Sequence, residues 1–349
     1  MSHSTRMSRE ELVQLAETQL VDAVEALVTG DDWIRAMRFA AQFRSRSFNN
    51  TLLIWAQHQQ AHQQGYVPEP VPTYVAGYRS WQSLGRQVQA GQPGYVVLAP
   101  VTGRFATATP NDTASWRRLG RGDQPAPGEA VHTRLVGVRP AHVWDVSQTA
   151  GDPVPTPPAP TLLQGQAPAG LWDGLSRQIE DRGFGLRLVS NAAAIGGANG
   201  LTDFTSREVS VRMDMDDAAQ TKTLAHELGH VLLHGPTSED AFLHRGVAEV
   251  EAESVALMIG AAHGFDTSAY TVPYVASWSA NVPGREPVDV IKDTAARVRG
   301  TAIKILDDLP TSQIGNGAPP SFGHVPAGRT PERVVEHVRP PGQEIGLSL

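Results

Sequence analysis

Apolar residues recur at helical spacing along the first part of the chain. Over residues 8–29 they form one stripe that ends at Gly30, which predicts an amphipathic helix. Two further helices are expected, one after Asp32 and one over residues 49–60. A short helix with a glycine stop follows at residues 78–86. The chain is therefore expected to begin with a layer of helices.

Short apolar runs bounded by turn residues predict strands farther along. They occur at residues 94–101, 134–138 and 142–146. Residues 104–130 are rich in Thr, Pro, Gly and Arg, and we expect a long loop there. Together with the preceding helices, these strands predict a small α+β domain over residues 8–150.

A proline-rich stretch without apolar periodicity covers residues 151–170 and is expected to be a linker. A second α+β domain is predicted over residues 171–309, with strands followed by strongly apolar helices. Residues 310–349 are rich in Gly, Pro and charge, which predicts a disordered tail. The expected fold class is α+β with two domains.

Composition narrows the function. The net charge of −7 excludes a protein that is basic throughout, so any nucleic-acid binding must be local. Cysteine is absent, which excludes disulfides, thiol catalysis and cysteine zinc fingers, and leaves His and carboxylates as metal ligands. No apolar stretch is long enough to span a bilayer, and the first residues lack the apolar core of a signal peptide. We therefore expect a cytoplasmic protein with no membrane partner.

The stretch with the clearest chemistry is an apolar helix pattern that contains His226, Glu227 and His230. Residues four apart lie on one helical face, so both imidazoles can reach a single ion. Glu227 can reach a water at that ion but not the ion itself. This H-E-x-x-H pattern is typical of two zinc ligands and a general base. Three fixed residues also match by chance, but the acidic turn before the run and Gly235-Pro236 after it favour a helix built for this site.

A third ligand is expected from the next predicted helix. A catalytic zinc site takes three protein ligands and keeps one open position, and Glu249 can supply the third. Glu253 then falls on the same face and can orient a histidine, whereas Glu251 points away and is predicted to be solvated. His234 either supports the metal ligands or interacts with the helix C-terminus. The expected cofactor is Zn²⁺, with Mn²⁺ or another divalent ion as the alternative.

These residues predict a metallopeptidase that acts on a protein or peptide. The strand over residues 208–212 lies just before the histidine helix, and we expect it to run along the cleft and hold an extended substrate. His263, Tyr270 and Tyr274 are all candidates for stabilising the oxyanion, and the sequence does not choose among them. A ligand set alone does not establish turnover, so a non-catalytic metal site is the alternative.

A second candidate site lies in the stretch over residues 33–68, which contains arginines and aromatic residues but no acidic residue. Arginine next to aromatic rings suits single-stranded DNA, because arginine meets phosphate and rings stack on unpaired bases. The alternative is an amphipathic helix with a solvated arginine face and buried rings. Asn49 and Asn50 either face a nucleotide or cap the third helix. The other candidate DNA contacts in this stretch are Arg35, Arg38, Arg44, Arg46, Phe48 and Trp55.

Six segments, taken in order, resemble one family. They are residues 46–54, 76–81, 94–101, 143–149, 226–234 and 249–256. The chain is similar over most of residues 10–308 to the ArdC-type antirestriction proteins. In that family a domain that binds single-stranded DNA precedes a zincin-like domain similar to the ImmA/IrrE peptidases.

The resemblance implies a plasmid- or phage-associated protein that shields incoming DNA from restriction. It favours DNA binding by the arginine–aromatic stretch and adds Arg79 and Trp81 to the candidate contacts. Two alternatives remain at this point. One is a DNA-protection protein whose metal site is not catalytic, and the other is an ImmA/IrrE-like regulatory peptidase that cleaves a repressor.

Overall fold

The structure is a computed structural model that describes residues 7–154, 165–235, 245–265, 272, 275–280 and 282–319. The chain contains runs of helices and runs of strands, which confirms the predicted α+β class. The helices are α1 (Arg9–Glu25), α2 (Gly30–Gln42), α3 (Phe48–Gln63), α4 (Tyr78–Ser83), α5 (Leu171–Asp181), α6 (Asp217–Leu233), α7 (Arg245–Ala262), α8 (Val275–Ser279) and α9 (Pro287–Asp307). The strands are β1 (Val75–Gly77), β2 (Arg86–Val88), β3 (Tyr95–Thr107), β4 (Arg117–Leu119), β5 (Ala130–Asp145), β6 (Thr149–Gly151), β7 (Gly185–Val189), β8 (Gly200–Asp203) and β9 (Glu208–Arg212).

The three N-terminal helices form where periodicity predicts them, and each begins at a hydroxyl cap. Ser8 and Thr29 form capping boxes with acidic residues three positions later, which satisfies backbone N–H groups at the starts of α1 and α2. Ser47 caps α3 by accepting a hydrogen bond from the backbone N–H of Asn50. The predicted cap by an asparagine is therefore wrong, because the residue before α3 already supplies it.

Most of the predicted loop over residues 104–130 is turn and loop, but it also contains the end of β3, the short strand β4 and the first residue of β5. β3 and β5 pair antiparallel from Tyr95↔Val143 out to Thr107↔Ala130, with one register shift after Val101. Their outer halves, with β4 paired to β3, form one end of the four-stranded sheet of order β1-β5-β3-β4. The outer half of β5 is exposed on both faces over residues 131–139, and the outer half of β3 mixes buried Gly103, Ala106 and Thr107 with exposed residues, so the sequence carries no clear apolar face.

Two amide side chains attach α3 to β3. Asn50 donates to the carbonyl of Leu98 and accepts from its N–H, at 3.0 and 2.9 Å. Gln57 makes the same pair of bonds with Val96, at 2.9 and 2.8 Å. Two turns of helix thus match two residues of strand, and the amides satisfy backbone groups that a helix cannot pair.

A three-stranded sheet of order β7-β9-β8 supports the histidine helix α6. β9 is the strand predicted to lie along a substrate cleft, but it is central, pairing with β7 on one side and β8 on the other. Its ladder groups are therefore occupied. β8 is the edge strand next to α6 among the described residues, so the expectation for residues 208–212 is wrong and β8 takes that place.

One hydrophobic cluster contains residues from both halves of the chain. Trp33 of α2 is fully buried, donates a 2.8 Å hydrogen bond to the Ser254 hydroxyl of α7, and meets Trp278 edge-on with ring centroids 5.1 Å apart. The division at residues 150–170 stays a prediction. The two halves nevertheless share a core.

Residues 310–319 return to the body of the protein, so the predicted disordered tail does not begin at residue 310. The Ile314 N–H bonds the Ala262 carbonyl at 2.8 Å, and the Gly317 carbonyl accepts from the Val75 N–H at 2.9 Å. Residues 320–349 lie outside the described part. Among the described residues, no helix combines the length and the apolar character needed to cross a membrane.

Candidate metal centre

α6 carries the H-E-x-x-H residues between a buried face and the open side of the helix. Asp216 caps its start by accepting from the Ala219 N–H at 2.8 Å. Leu224 and Leu228 are fully buried against the core, which leaves His226 and His230 partly exposed on a neighbouring face. The apolar spacing therefore fixes the direction in which the imidazoles point.

A small-residue contact brings α7 onto α6. A Cβ at Gly229 would lie 3.1 Å from the Ala252 Cα, so glycine permits the close approach. Glu249 stands one turn earlier on α7, and its Oε2 lies 3.5 Å from Nε2 of His226 and 3.7 Å from Nε2 of His230. The two Nε2 atoms are 3.1 Å apart. The structure thus brings the three predicted ligands together.

The donor set and its spacing suit a divalent cation. Bonds of about 2.0–2.2 Å at tetrahedral angles place ligand atoms about 3.3–3.6 Å from one another. The separations here bracket that range, and all three donor atoms lie within 4.8 Å of one another. Two imidazoles and a carboxylate are ligands that zinc and other first-row divalent ions accept. These residues therefore form a possible divalent-metal site.

A direct carboxylate contact orients the first histidine. Nδ1 of His226 lies 3.2 Å from Oε2 of Glu253, and Lys222 pairs with the other oxygen of that carboxylate at 3.0 Å. A proton on Nδ1 leaves Nε2 with its lone pair toward the cluster. Glu253 thus has the role that its position one turn after Glu249 predicts.

The second histidine is held through an intervening histidine. Nδ1 of His230 lies 3.0 Å from Nδ1 of His234, and Nε2 of His234 lies 3.1 Å from Glu251. One tautomer set satisfies this chain: His230 donates to His234, and His234 donates to the carboxylate. Nε2 of His230 then faces the cluster as a lone pair.

Glu251 is therefore not solvated, contrary to the expectation from helical geometry. It is 4% exposed, and Arg297 of α9 pairs with its other oxygen. α9 packs against α7 and covers the face that appears outward in an isolated helix. Helical spacing alone indicates only the direction of Glu251. Its burial depends on a helix much later in the chain.

Glu227 lies beneath β8. The Thr202 hydroxyl donates to Oε2 of Glu227 at 2.7 Å, and the carboxylate is 5% exposed as a residue. A Cβ at Gly200 would lie 2.5 Å from Oε1 of Glu227, so only glycine leaves room for this side chain. Sequence reasoning missed both β8 residues, because the short strand has no distinctive pattern.

The cluster is arranged to attract positive charge. Burial alone would lower the pKa of His226, but hydrogen bonds with Glu249 and Glu253 outweigh it and raise that pKa to about 9. Hydrogen bonds from His226 and His230 hold the pKa of Glu249 far below its usual range. Burial raises the pKa of the Glu227 carboxyl, opposed by the charge of His226. Carboxylates that stabilise a proton here can likewise stabilise a metal cation.

The fold excludes one of the three residues predicted to stabilise the oxyanion. His263 follows the C-terminal end of α7, about 20 Å along the helix axis from Glu249. Its ring nitrogens bond the Ile259 carbonyl at 2.8 Å and the Thr311 hydroxyl at 2.7 Å. His263 therefore holds the returning chain and is wrong as an oxyanion group. Tyr270 and Tyr274 lie outside the described residues.

Comparison with known proteins covers both halves. Residues 10–132 match the family described as the N-terminal domain of anti-restriction factor ArdC. A crystal structure titled as the metal-free antirestriction ArdC protein from the R388 plasmid aligns with a TM-score of 0.50 and 20% identity, covering 85% of this chain and 97% of that one. Residues 10–132 therefore belong to the ArdC N-terminal domain family.

Two further relatives are more distant in structure or longer in sequence. A Mn(II)-bound structure of ArdC from the R388 plasmid aligns with a TM-score of 0.40 and 19% identity, over 75% of this chain and 88% of that one. An uncharacterized protein of Bacillus anthracis is 23% identical over 325 residues, which is 86% of this chain. The chain spans about half, 53%, of the length of that relative.

Several predicted DNA contacts have structural roles. Phe48 is 4% exposed, and Trp81 is fully buried with its indole N–H bonded to the Trp144 carbonyl at 3.0 Å. Neither ring has a solvent-exposed face on which a base could stack. Their prediction as stacking residues is wrong, because the aromatic residues fill the space between helices and sheet.

The predicted arginine contacts divide into two groups. Arg44 bonds the Ala41 and Ile314 carbonyls at 2.8 and 3.1 Å, and Arg46 bonds the Val75 carbonyl at 2.8 Å. Burial lowers the pKa of both guanidinium groups. These two arginines tie chain segments together, so they are wrong as phosphate contacts.

The remaining candidates lie nearer the surface. Arg35, Arg38, Asn49 and Arg79 are exposed, although Arg35 pairs with Asp32. Trp55 is half-buried beside Phe39, with ring centroids 5.6 Å apart, and the Asn50 amide is engaged by β3 as described above. The structure does not gather the exposed groups around a set of exposed rings.

Proposed function

We propose that this chain is an antirestriction protein that binds single-stranded DNA and carries a metal-dependent, ImmA/IrrE-like peptidase site. The observation that carries the peptidase part is the convergence of three ligand atoms and the buried Glu227 carboxylate beside edge strand β8. His226, His230 and Glu249 would hold the divalent ion, with Zn²⁺ as the first candidate and Mn²⁺ as the second. A divalent ion held there supplies Lewis acidity, which makes a nearby water easier to deprotonate and polarises a carbonyl.

The protein's own groups supply the proton transfers. In the proposed reaction the Glu227 carboxylate accepts the proton of the attacking water and then gives it to the leaving amine. The Thr202 hydroxyl donates to Oε2 of Glu227 and holds the carboxylate in one orientation. Burial raises the pKa of Glu227, and a base whose pKa is closer to neutrality returns a proton more readily.

Edge strand β8 provides a place for a protein substrate. Its outer ladder groups are available among the described residues, and it lies against α6 at Glu227. An extended peptide can add to such an edge by main-chain hydrogen bonds. The scissile bond would then lie next to the cluster, which supports a peptide or protein as the substrate class.

The DNA-binding part rests on the match of residues 10–132 to the ArdC N-terminal domain. Binding to single strands is proposed because restriction acts on duplex DNA, and a protein bound to entering strands can delay duplex formation. The chain is acidic overall, so contact with DNA requires a local basic surface.

Replacing Glu227 by Gln tests the peptidase proposal. The substitution keeps shape and the metal ligands but removes the base, so metal content should equal that of the wild type. Hydrolysis of casein and of a quenched fluorescent peptide mixture should fall about 100-fold or more. Survival of unmethylated plasmid DNA entering a restricting host should be measured with both proteins.

Three results separate the possible activities. Loss of both hydrolysis and DNA protection in Glu227→Gln supports the proposal. Full DNA protection by this variant indicates protection by binding alone, and a lack of hydrolysis by the wild type as well indicates a metal site that is not catalytic. Hydrolysis that persists without loss in Glu227→Gln would exclude Glu227 as the base.

A further inference from the structure

The outer halves of β3 and β5, together with β4, form one end of the four-stranded sheet over residues 102–135. We call this segment the β-arm. Sequence patterns predict a loop for most of it, and it takes no part in the candidate metal centre. Its register nevertheless arranges charged and aromatic side chains on two distinct faces.

Strand pairing defines the composition of one face. Residues that pair directly lie on the same side of a sheet, and side chains alternate along each strand. Phe105 pairs with His132 on one neighbour and Arg118 on the other, while Gly103 pairs with Arg134. These side chains, together with Trp116, form what we call the aromatic–arginine face. Arg104 pairs with Thr133 and Leu119 and therefore lies on the opposite face.

Direct contacts organise this face. The Arg134 guanidinium lies 4.8 Å from the Trp116 ring centroid and 5.6 Å from that of Phe105. Trp116 and His132 meet edge-on, with centroids 4.8 Å apart. Arg134 and His132 are exposed, and the two rings are half-buried. Flat π-surfaces and a planar guanidinium are thus held in place by one another and still reach solvent.

The charge of the β-arm differs from that of the chain. Residues 102–135 contain five arginines and three acidic residues, within a chain of net charge −7. The acids are occupied: Asp112 and Asp123 accept backbone N–H groups in turns, and Glu129 pairs with Arg117. Arg118 is exposed and forms no ion pair with any described residue, and it lines a pocket that it shares with Glu10 and Glu17 of α1. The β-arm is therefore locally basic.

We propose that the aromatic–arginine face of the β-arm binds single-stranded nucleic acid. Unpaired bases would stack on Trp116 and on the Arg134 plane, and Arg118 would contact phosphate. The inference rests on the DNA-binding part of the proposed function and gives that function a location. It replaces the rings at Phe48 and Trp81, which are buried, with rings that reach solvent.

The test uses the full chain and a fluorescein-labelled, mixed-sequence DNA oligonucleotide of twenty nucleotides, titrated by anisotropy at several salt concentrations. Trp116→Ala should weaken binding about 5-fold or more with an unchanged salt slope, because stacking releases no counterions. Arg118→Ala should reduce the salt slope by about 0.7, the value for one phosphate contact on a single strand. Arg104→Ala is the matched control, since it removes the same charge from the opposite face.

The outcomes separate this inference from the proposed function. If the wild type binds and Trp116→Ala and Arg118→Ala bind equally well, the β-arm is not the site, and DNA binding stands. If the wild type does not bind the oligonucleotide, both the β-arm site and the proposed DNA binding are wrong. An equal loss in Arg104→Ala, or equal wild-type affinity for duplex of the same length, overturns the stacking face. Thermal melting checks folding, and Arg118→Ala remains informative if Trp116→Ala unfolds, because Arg118 is exposed.

Discussion

At the scale of single residues, the candidate metal centre depends on which ring nitrogen of each histidine carries the proton. A carboxylate holds His226 directly, and a histidine–carboxylate pair holds His230. Both arrangements place the proton on Nδ1 and leave Nε2 toward Glu249. The two arrangements differ in the position of the carboxylate on α7. Glu253 lies on the same face as Glu249 and contacts His226 directly, whereas Glu251 lies off that face and contacts His230 only through His234.

The corresponding prediction concerns Glu251. Glu251→Gln should lower affinity for Zn²⁺ about 10-fold, because the amide holds His234 less firmly and His230 loses its fixed tautomer. Glu253→Gln should have a similar effect through His226. Competition with a chromogenic chelator measures both.

The stability of each metal-free variant shows whether a loss of metal affinity comes from unfolding. Thermal melting without metal shows whether each variant is folded, and Arg285→Ala on the surface serves as a control for handling. A Glu251→Gln protein with wild-type metal affinity would return Glu251 to a purely structural role.

At the scale of elements, close approaches at glycines position the site. Gly229 lets α7 reach α6, and Gly200 lets β8 cross over Glu227. Neither has a left-handed backbone, so the reason for glycine is space rather than conformation. The edge strand, the base and the third ligand are therefore placed by contacts between elements and not within them.

Gly200→Ala tests this arrangement. The new methyl group would meet Oε1 of Glu227 and Cγ2 of Thr223 at 2.5 and 2.6 Å, so the carboxylate must move. Peptide hydrolysis should fall about 100-fold while metal content is kept, because displacement removes the base and leaves the ligands. Gly185→Ala on β7 is the control, since nothing lies within 4 Å of its added Cβ. Equal activity of the two variants would show that Glu227 tolerates the shift.

At the scale of the whole molecule, the two halves are joined by more than the connection between them. α2 buries one face on α7, and residues after α9 return to contact β1 and α7. The hydrophobic cluster is continuous across this boundary. A linker in sequence therefore does not separate two independent cores here.

We accordingly predict the behaviour of nicked protein. Cleavage within residues 155–164 should leave two pieces that elute together on size exclusion, because separation would expose Trp33, Met37 and their partners on α7. In concentrated guanidinium chloride the pieces should separate, which is the control for complete cleavage. Separate elution in native buffer would support two independent domains.

Local patterns determined a large part of this protein. Helical periodicity predicts α1, α6 and α7, because the faces of a helix depend only on spacing along the chain. Spacing also places His226 and His230 on one face and Glu253 beneath Glu249. The α+β class follows from the order of helical and extended patterns. The helix faces and the positions of these side chains on them are each encoded within a single helix.

Tertiary packing decided the rest. Glu251 is buried because α9 covers it, Arg44 and Arg46 bind carbonyls from distant segments, and β8 rather than β9 is the edge strand. The β-arm forms because β3 and β5 pair with each other although residues 108–129 separate them and neither strand has a clear apolar face. In each case the deciding partner lies far away in the chain, and a periodic pattern shows which way a side chain points but not what meets it there.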